Sequence, residues 1–322
     1  MKRACLLLLL LVACAPIKPT VTGPPVTETT EPARYAPRID PAEFTSRVTN
    51  NYFTLTPGTK WTYQAQTEEG TERNEVIVLD ETRLVMGVET VVVWDRVWLN
   101  DELIEETKDW YAQDTEGNVW YFGEDSQELL GGKVVNRAGS WEAGVDGAQP
   151  GIIMQAAPRV GMTYRQEYYE GQAEDMADVL ALDETITVPY GTFSGCLKTR
   201  DYTPLEPGAD EHKYYCPQVG NVALEVMVED NQRVELIQVT TVTQASVKAE
   251  ARAEPAPELK KDVTEEEAKA IALRRVPGRV TDVAIENKFG KPTYVVEIQA
   301  DTGIETDVII DIDTGEVLGV ET

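Results

Sequence analysis

The chain carries few residues that could perform enzymatic chemistry. Its single histidine is His212, whereas Ser-His-Asp and Cys-His sites both need a base beside the nucleophile. Neither a Gly-x-Ser-x-Gly elbow nor a glycine-rich phosphate loop occurs in the sequence. A surface position explains His212 better than a catalytic one. We therefore expect no catalytic residues and a protein that is not an enzyme.

Carboxylates are the abundant reactive groups of this chain. Asp and Glu number 56 against 29 Lys and Arg, which gives a formal net charge of −27. Carboxylate oxygens are the ligands that Ca²⁺ prefers, and Ca²⁺ is the one cofactor that the sequence could support. The candidate calcium ligands are Glu167, Glu174, Asp175, Asp178, Asp311 and Asp313.

Two other interpretations of the carboxylates stay open. A solvated acidic surface explains most of them without any ligand, and no complete Asp-x-Asp-x-Asp-Gly calcium loop is present. A pair of carboxylates that face each other across a groove could instead hydrolyse a glycoside. Zinc is not expected, because the sequence lacks a Cys-x-x-Cys motif and multiple histidines.

The negative net charge also restricts the possible binding partners. Nucleic acid is excluded as a partner, because binding its phosphates requires Lys and Arg to displace counterions. The strong negative field instead favours a basic protein partner or a divalent cation.

The N-terminus has the features of an export signal. Met1-Lys2-Arg3 is basic, and Ala4 to Ala13 is an apolar run that is shorter than the roughly 20 residues needed to span a bilayer. The run ends at Leu11-Val12-Ala13-Cys14, which resembles the lipobox of bacterial lipoproteins. The resemblance implies that residues 1–13 are a signal peptide and that Cys14 receives a diacylglyceryl lipid.

Such a lipid would anchor the chain to a membrane surface by burying its acyl chains. The folded part would then lie in the cell envelope outside the cytoplasm. Ala15 follows the cysteine, and the family resemblance then implies the outer membrane if the host is diderm. The alternative is an ordinary secretory signal in which Cys14 is incidental.

Two cysteines, Cys196 and Cys216, remain for the mature fold. An even pair in an exported domain predicts a disulfide, because that compartment is oxidising. Two separate buried thiols are the alternative.

Composition divides the mature chain into two folded regions. Residues 14–43 are rich in Pro and Thr and are interpreted as a tether. Residues 246–261 form an Ala/Pro/Glu linker whose prolines oppose a continuous helix. The predicted folded regions are therefore residues 44–245 and 262–322.

The larger region shows short strands with alternating character. Trp61-Thr62-Tyr63-Gln64-Ala65 alternates large apolar with polar residues, and Trp110-Tyr111-Ala112-Gln113 and Val119-Trp120-Tyr121-Phe122 flank a Gly-containing turn. This pattern predicts an antiparallel curved sheet or open barrel, with residues 171–180 as a short helix or a loop. We expect the tryptophans to pack within the sheet, the alternative being a ligand cleft.

From about residue 50 to residue 240, the pattern resembles curved-sheet envelope lipoproteins that wrap an apolar cavity. No residue role can be transferred from this resemblance. It implies that a carrier of an apolar ligand is one alternative function.

The smaller region predicts one helix on a small antiparallel sheet. Thr264-Glu265-Glu266-Glu267 is a capping box, apolar residues follow at helical spacing, and Pro277-Gly278 ends the helix. Alternating strands separated by Gly-containing turns follow. The predicted fold class is therefore mainly β with a small α+β domain.

These motifs resemble the PepSY family. Tyr294-Val295-Val296-Glu297-Ile298 matches its strand pattern, and Asp311-Ile312-Asp313-Thr314-Gly315-Glu316-Val317-Leu318 matches its final turn. The resemblance covers residues 262–322. It implies a domain related to the propeptides of secreted peptidases, which contacts or inhibits a partner protein and has no catalytic residues to transfer.

The combined prediction is a non-enzymatic, lipid-anchored envelope protein with a binding or scaffolding role. Its partner would be a peptidase or another envelope protein. The alternatives are a carrier of an apolar ligand and a hydrolase of cell-wall polymer. A large apolar cavity would favour the carrier, and a cleft with two convergent carboxylates would favour the hydrolase.

Overall fold

A computed structural model of the chain describes residues 35–67, 69–247, 263–288, 291–300, 303, 305–312 and 314–321. The signal peptide and Cys14 lie outside these residues, so the lipid anchor stays a prediction. Within the described residues, no helix has both the length and the apolar character that crossing a bilayer requires.

The larger region is built from antiparallel strands that follow a 3₁₀ turn at Pro41–Glu43. The strands are β1 (Phe44–Thr45), β2 (Val48–Thr49), β3 (Thr54–Leu55), β4 (Thr59–Gln66), β5 (Thr71–Val85), β6 (Val88–Leu99), β7 (Glu102–Asp114), β8 (Val119–Leu130), β9 (Lys133–Asn136), β10 (Trp141–Glu142), β11 (Gln149–Met154), β12 (Thr163–Arg165), β13 (Glu167–Tyr168), β14 (Met176–Val188), β15 (Gly191–Tyr202), β16 (Asp210–Cys216), β17 (Asn221–Met227) and β18 (Arg233–Thr241).

These strands form one nearly closed, curved antiparallel sheet, which confirms the predicted fold class. Its order is β12-β14-β15-β16-β17-β18-β4-β5-β6-β7-β8-β11-β13, while β1 pairs with β7, and β9 and β10 pair with β8. The strands β2 and β3 form a separate hairpin. Most neighbours in this order are consecutive in the chain, as short hairpin connections dictate.

The inward face of the sheet carries an apolar core. Successive residues of a strand point to opposite faces, so Val91 and Val93 enter this core while Val92 and Trp94 enter a second core on the other side. Fully buried side chains such as Leu197 contribute about 1.5–3 kcal/mol each. The core is therefore the main stabilising feature of one end of the curved sheet.

The second core covers the outer face of β5 to β8. It contains Trp94, Trp110 and Trp141. The Arg83 guanidinium lies 4.0 Å from the ring centroid of Trp110, and that of Arg96 lies 3.8 Å from the ring centroid of Trp94. These tryptophans have the packing role that the sequence predicts, rather than forming a ligand cleft.

The folded contacts extend past the boundaries predicted at residues 44 and 245. The Tyr35 hydroxyl donates to the Pro150 carbonyl at 3.0 Å, and Val247 is buried in the second core. Tyr35 and Val247 are isolated apolar residues in a Pro-rich and an Ala-rich segment. Because the composition of each segment is otherwise that of an extended chain, it predicted a tether and a linker at these positions. The exact domain boundaries stay a prediction.

One element differs from the sequence-based expectation. Residues 176–180 begin the long strand β14 instead of forming a helix or a loop. Ala177 and Val179 are buried, and the Asp178 between them pairs with Arg200 at 3.3 Å. The residues therefore alternate as a strand requires.

The predicted disulfide is present between Cys196 on β15 and Cys216 on β16. The two sulfur atoms lie 2.06 Å apart, the Cα atoms lie 4.3 Å apart, and both residues are fully buried in the inward core. The bridge crosslinks two neighbouring strands over a sequence separation of 20 residues.

Replacing Cys196 and Cys216 together by Ala should lower the free energy of unfolding by about 3 kcal/mol, because the open chain gains loop entropy on unfolding. Urea unfolding followed by tryptophan fluorescence measures this change in the larger region. Unfolding of the unmodified protein after reduction should show a loss of similar size. An unchanged midpoint in both experiments would show that the bridge does not stabilise the fold.

The smaller region consists of one helix on a four-stranded antiparallel sheet, as predicted. The helix α1 spans Glu265–Arg275, and the strands are β19 (Gly278–Lys288), β20 (Lys291–Ala300), β21 (Glu305–Asp311) and β22 (Val317–Glu321). Thr264 and Glu267 form the predicted capping box at the start of α1. The helix ends one residue before Val276, close to the predicted Pro277 stop.

Candidate functional site

The four-stranded sheet buries only one of its faces under α1. Ala268 and Ala272 of the helix pack on Val296, Ile298 and other apolar residues of that face. Alternate residues of each strand point to the opposite face, which α1 does not cover. We call this the open face and define it by Asp282, Glu286, Val295, Glu297, Asp307, Ile309 and Glu321.

A row of four carboxylates crosses the open face. Asp282 on β19 pairs with Glu297 on β20, Glu297 pairs with Asp307 on β21, and Asp307 pairs with Glu321 on β22. Like charges directly opposite each other in a sheet are destabilising. The row is therefore an unfavourable arrangement for the isolated domain.

The electrostatic consequence is visible at Asp307. Partial burial raises the pKa of its carboxyl, and the neighbouring carboxylates Glu297 and Glu321 raise it further. The Lys288 ammonium opposes this effect, since it lies 3.3 Å from Glu286 on one edge strand and 3.9 Å from Glu321 on the other. The Lys288 ammonium therefore lies over the open face and compensates its negative charge only in part.

Apolar side chains lie beside the row. Val295 and Ile309 pair with each other on the open face and are buried. The Thr281 hydroxyl donates to the Glu297 carboxylate within the row. The open face thus presents carboxylates around a buried apolar pair, which suits a partner that presents basic groups.

The structure does not bring the candidate calcium ligands together. Glu174 pairs with Arg165 at 3.6 Å, Asp178 pairs with Arg200 at 3.3 Å, and Asp311 pairs with Lys291 at 2.7 Å. Glu167 is buried, Asp175 is exposed, and Asp313 lies outside the described residues.

Within the described ranges, no group of three or more His, Cys, Asp or Glu side chains is arranged to hold a metal ion. Calcium binding therefore has no geometric support among these residues.

His212 lies close to two cations, Lys198 and Arg200. It lies on β16, paired with Arg200 on β15 and Val226 on β17. Burial lowers the pKa of its imidazole, and the positive charge of Lys198 lowers it further. The neighbouring cations therefore make His212 a poor proton acceptor.

Sequence reasoning missed the carboxylates inside the curved sheet. Asp109 lies on β7 and Glu124 on β8, and the Tyr121 hydroxyl is 2.7 Å from the first and 2.9 Å from the second. Burial, and next the charge of Glu124, raises the pKa of Asp109 to about 8. Burial, and to a smaller extent the charge of Glu167, raises the pKa of Glu124 to about 8.

Protonation of the two carboxyls explains how this buried arrangement is satisfied. The Tyr121 hydroxyl has one hydrogen and can donate to one carboxyl at a time. With a pKa near 8, each carboxyl holds a proton at neutral pH and can donate in turn. The only sequence signal for this cluster is acidic residues within otherwise β-forming segments.

Comparison with known proteins identifies the smaller region. Residues 262–321 match the PepSY family, described as "Peptidase propeptide and YPEB domain". No curated protein matches the chain. A crystal structure of a protein described as a "putative lipoprotein" from Parabacteroides distasonis ATCC 8503 is 13% identical and covers 59% of this chain and 98% of its own. Its TM-score of 0.33 is too low to support an argument.

Replacing Asp307 by Asn should stabilise the PepSY domain at neutral pH. Each relieved carboxylate repulsion is worth about 0.2–1 kcal/mol. Because the folded-state pKa is raised, the penalty is present at neutral pH and disappears as the pH falls below the unfolded-state pKa of about 4. Hydrogen exchange of the β20 and β21 amides in the full chain measures this gain.

The control for this experiment is Glu266→Gln on α1, which removes one exposed charge from the covered side of the domain. It should leave exchange of the β20 and β21 amides unchanged. Slower exchange in both variants, or in neither, would contradict a specific repulsion on the open face. At acidic pH the Asp307→Asn protein and the unmodified protein should exchange alike.

The described geometry places an acidic row on the side of the sheet that α1 does not cover, within residues 262–321, which match the PepSY family.

Proposed function

We propose that this chain is a non-enzymatic, lipid-anchored envelope protein whose PepSY domain contacts or inhibits a partner protein. The partner is a peptidase or another envelope component. The match of residues 262–321 to the PepSY family carries this proposal, since such domains are often involved in protein binding or peptidase regulation.

The open face is the contact surface that supports this role. Asp282, Glu297, Asp307 and Glu321 present negative charge from four adjacent strands. A basic partner would relieve their mutual repulsion, so association would gain from electrostatics and weaken with salt.

The location rests on the N-terminal resemblance and agrees with the disulfide. The lipobox-like Leu11-Val12-Ala13-Cys14 implies lipidation and export. The Cys196–Cys216 bridge suits an oxidising compartment outside the cytoplasm. If the host is diderm, Ala15 after the cysteine favours the outer membrane.

The two alternative functions receive less support from the geometry. A carrier of an apolar ligand would need an apolar cavity, whereas the inward core is packed. A pocket of about 660 Å³ is lined mainly by polar side chains such as Gln64, Asn231 and Arg233, and a smaller pocket of about 190 Å³ has six carboxylates in its lining. A carboxylate hydrolase needs one protonated and one ionised group. Asp109 and Glu124 share similar pKa values of about 8, so they are not divided into an acid and a base.

Capture of partners from detergent-solubilised membranes tests the proposal. The unmodified chain should carry diacylglyceryl on Cys14, seen by mass spectrometry of its N-terminal peptide, and should retain a partner whose recovery falls with salt. The double variant Asp307→Asn/Glu321→Gln should recover this partner about five- to thirtyfold less, as expected for two charge contacts of about 0.5–1 kcal/mol each.

The matched control is Glu265→Gln/Glu266→Gln, which removes the same charge from α1. It should recover the partner as well as the unmodified chain does. Equal recovery by all three proteins would refute the open face as the contact surface. An unmodified Cys14 in a cytosolic protein would refute the location.

A further inference from the structure

The two ends of the curved sheet meet at one short stretch of chain. Its end strands are β12 (Thr163–Arg165) and β13 (Glu167–Tyr168), and Gln166 joins them in sequence. The strand β12 pairs with β14 through three residue pairs, whereas β13 pairs with β11 through two. A ladder of two residue pairs supplies few hydrogen bonds, so β13 should detach from β11 more readily than a long strand leaves its neighbour.

The strand β13 is closely packed where it meets β11. A Cβ atom on Gly151 of β11 would collide with the Gln166–Glu167 peptide, so glycine allows the two backbones to approach. Gln166, Glu167 and Trp141 are buried here, and the Trp141 indole N–H donates to the Glu167 carboxylate at 2.9 Å. Closure of the sheet therefore removes Glu167 and Trp141 from solvent.

Tyr35 contacts each of the strands at this junction. Its hydroxyl donates to the Pro150 carbonyl of β11 at 3.0 Å, and Pro150 is the residue that pairs with Glu167. Its ring packs edge-on against Tyr168 of β13, with the ring centroids 5.6 Å apart. The Arg165 guanidinium of β12 lies 5.5 Å from the Tyr35 ring centroid and 4.7 Å from that of Tyr168. One side chain therefore connects β11, β12 and β13.

Arg165 relies on these rings for its position. Among the described residues, its Nη1 atom is buried without a hydrogen-bond partner, and its ion-pair partner Glu174 lies 3.6 Å away. The Glu174 carboxylate accepts from the Gly171 N–H at 2.9 Å. Gly171 follows β13 with a φ of +72°, and no atom of the described chain lies within 4 Å of the position that a Cβ would take. Because glycine can adopt many backbone conformations, this turn can serve as a hinge for β13.

The segment that carries Tyr35 is fixed at its other end. We call residues 35–45 the strap. Its strand β1 pairs with β7, the Phe44 ring packs against Phe122 with the centroids 5.5 Å apart, and Ile39 packs on the second core. The end with Tyr35 continues into the Pro- and Thr-rich residues that the sequence predicts as a tether. A pull on that tether would therefore reach Tyr35 before the other contacts of the strap.

We propose that Tyr35 is a latch on the curved sheet. While it is seated, β13 stays on β11, and its withdrawal lets β13 move away about Gly171 and brings Glu167 and Trp141 into contact with solvent. Glu167 also lines the pocket of about 190 Å³, so withdrawal would enlarge that pocket. The latch needs only the contacts of the larger region, whereas its operation by a membrane tether rests on the proposed lipid anchor.

Hydrogen exchange of the full chain, read by mass spectrometry, tests the latch. In Tyr35→Ala, the amides of residues 149–154 and 166–169 should exchange about 10- to 100-fold faster, because the variant loses both the hydrogen bond to Pro150 and the ring contacts. Tyr35→Phe keeps the ring and should accelerate the same amides about two- to tenfold, as the loss of one hydrogen bond predicts. The amides of β5 and β6 should exchange as they do in the unmodified chain.

The matched control is Tyr190→Ala, which removes another surface tyrosine that has a ring partner. Tyr190 is 44% exposed and stacks on Phe193 at the turn between β14 and β15, with the centroids 6.2 Å apart. Its loss should leave the exchange of residues 149–154 and 166–169 unchanged.

Unchanged exchange of these two segments in Tyr35→Ala would overturn the latch. Equal acceleration of these amides and of those in β5 and β6 would also overturn it, because Tyr35 would then stabilise the whole sheet and not one junction. The measurements depend neither on the PepSY domain nor on lipid at Cys14. A failed latch would therefore leave the proposed function standing, and a failed partner contact would leave the latch standing.

Discussion

The stability of the larger region depends on how the curved sheet accommodates ionisable side chains on its inward face. At one end this face is a packed apolar core, and at the other it carries carboxylates that the fold removes from water. Burying an ionised carboxylate is strongly unfavourable unless it is paired or protonated. The protein uses both solutions, since Lys213 contacts three carboxylates while Asp109, Glu124 and Glu167 have pKa values raised to about 8. These protons belong to the folded state, so the stability they contribute is lost as the pH rises through about 8.

The same acidic composition has a different consequence in the PepSY domain. There the carboxylates stand on the open side of a thin sheet, where water screens them and Lys288 offsets part of their repulsion. Exposed carboxylates are screened by water, whereas buried ones are neutralised by protons or by Lys213. The same acidic composition, with a net charge of −27, therefore has two different electrostatic consequences in the two regions.

Sequence patterns predicted the elements whose signals are local. The Thr264–Glu267 capping box, the alternating strand around Tyr294 and the turn signals required no knowledge of distant contacts, and the Cys196–Cys216 bridge followed from compartment chemistry. The buried carboxylates of the curved sheet could not be predicted, because an inward carboxylate such as Glu211 gives the same local pattern as an outward one. An acid on the outer face also hid β14, where Asp178 lies between the buried residues Ala177 and Val179. Only the register of distant strands shows which carboxylates converge.

Carbon NMR of the side-chain carboxyls in the full chain tests the central claim most directly. Resonances assigned through Asp109→Asn, Glu124→Gln and Glu167→Gln should report protonated carboxyls at neutral pH that ionise near pH 8. Ionisation of all three near the ordinary carboxyl pKa of about 4 would show that water reaches them freely. The three carboxyls would then be ionised and solvated at neutral pH, and the curved sheet would not bury them as protonated groups.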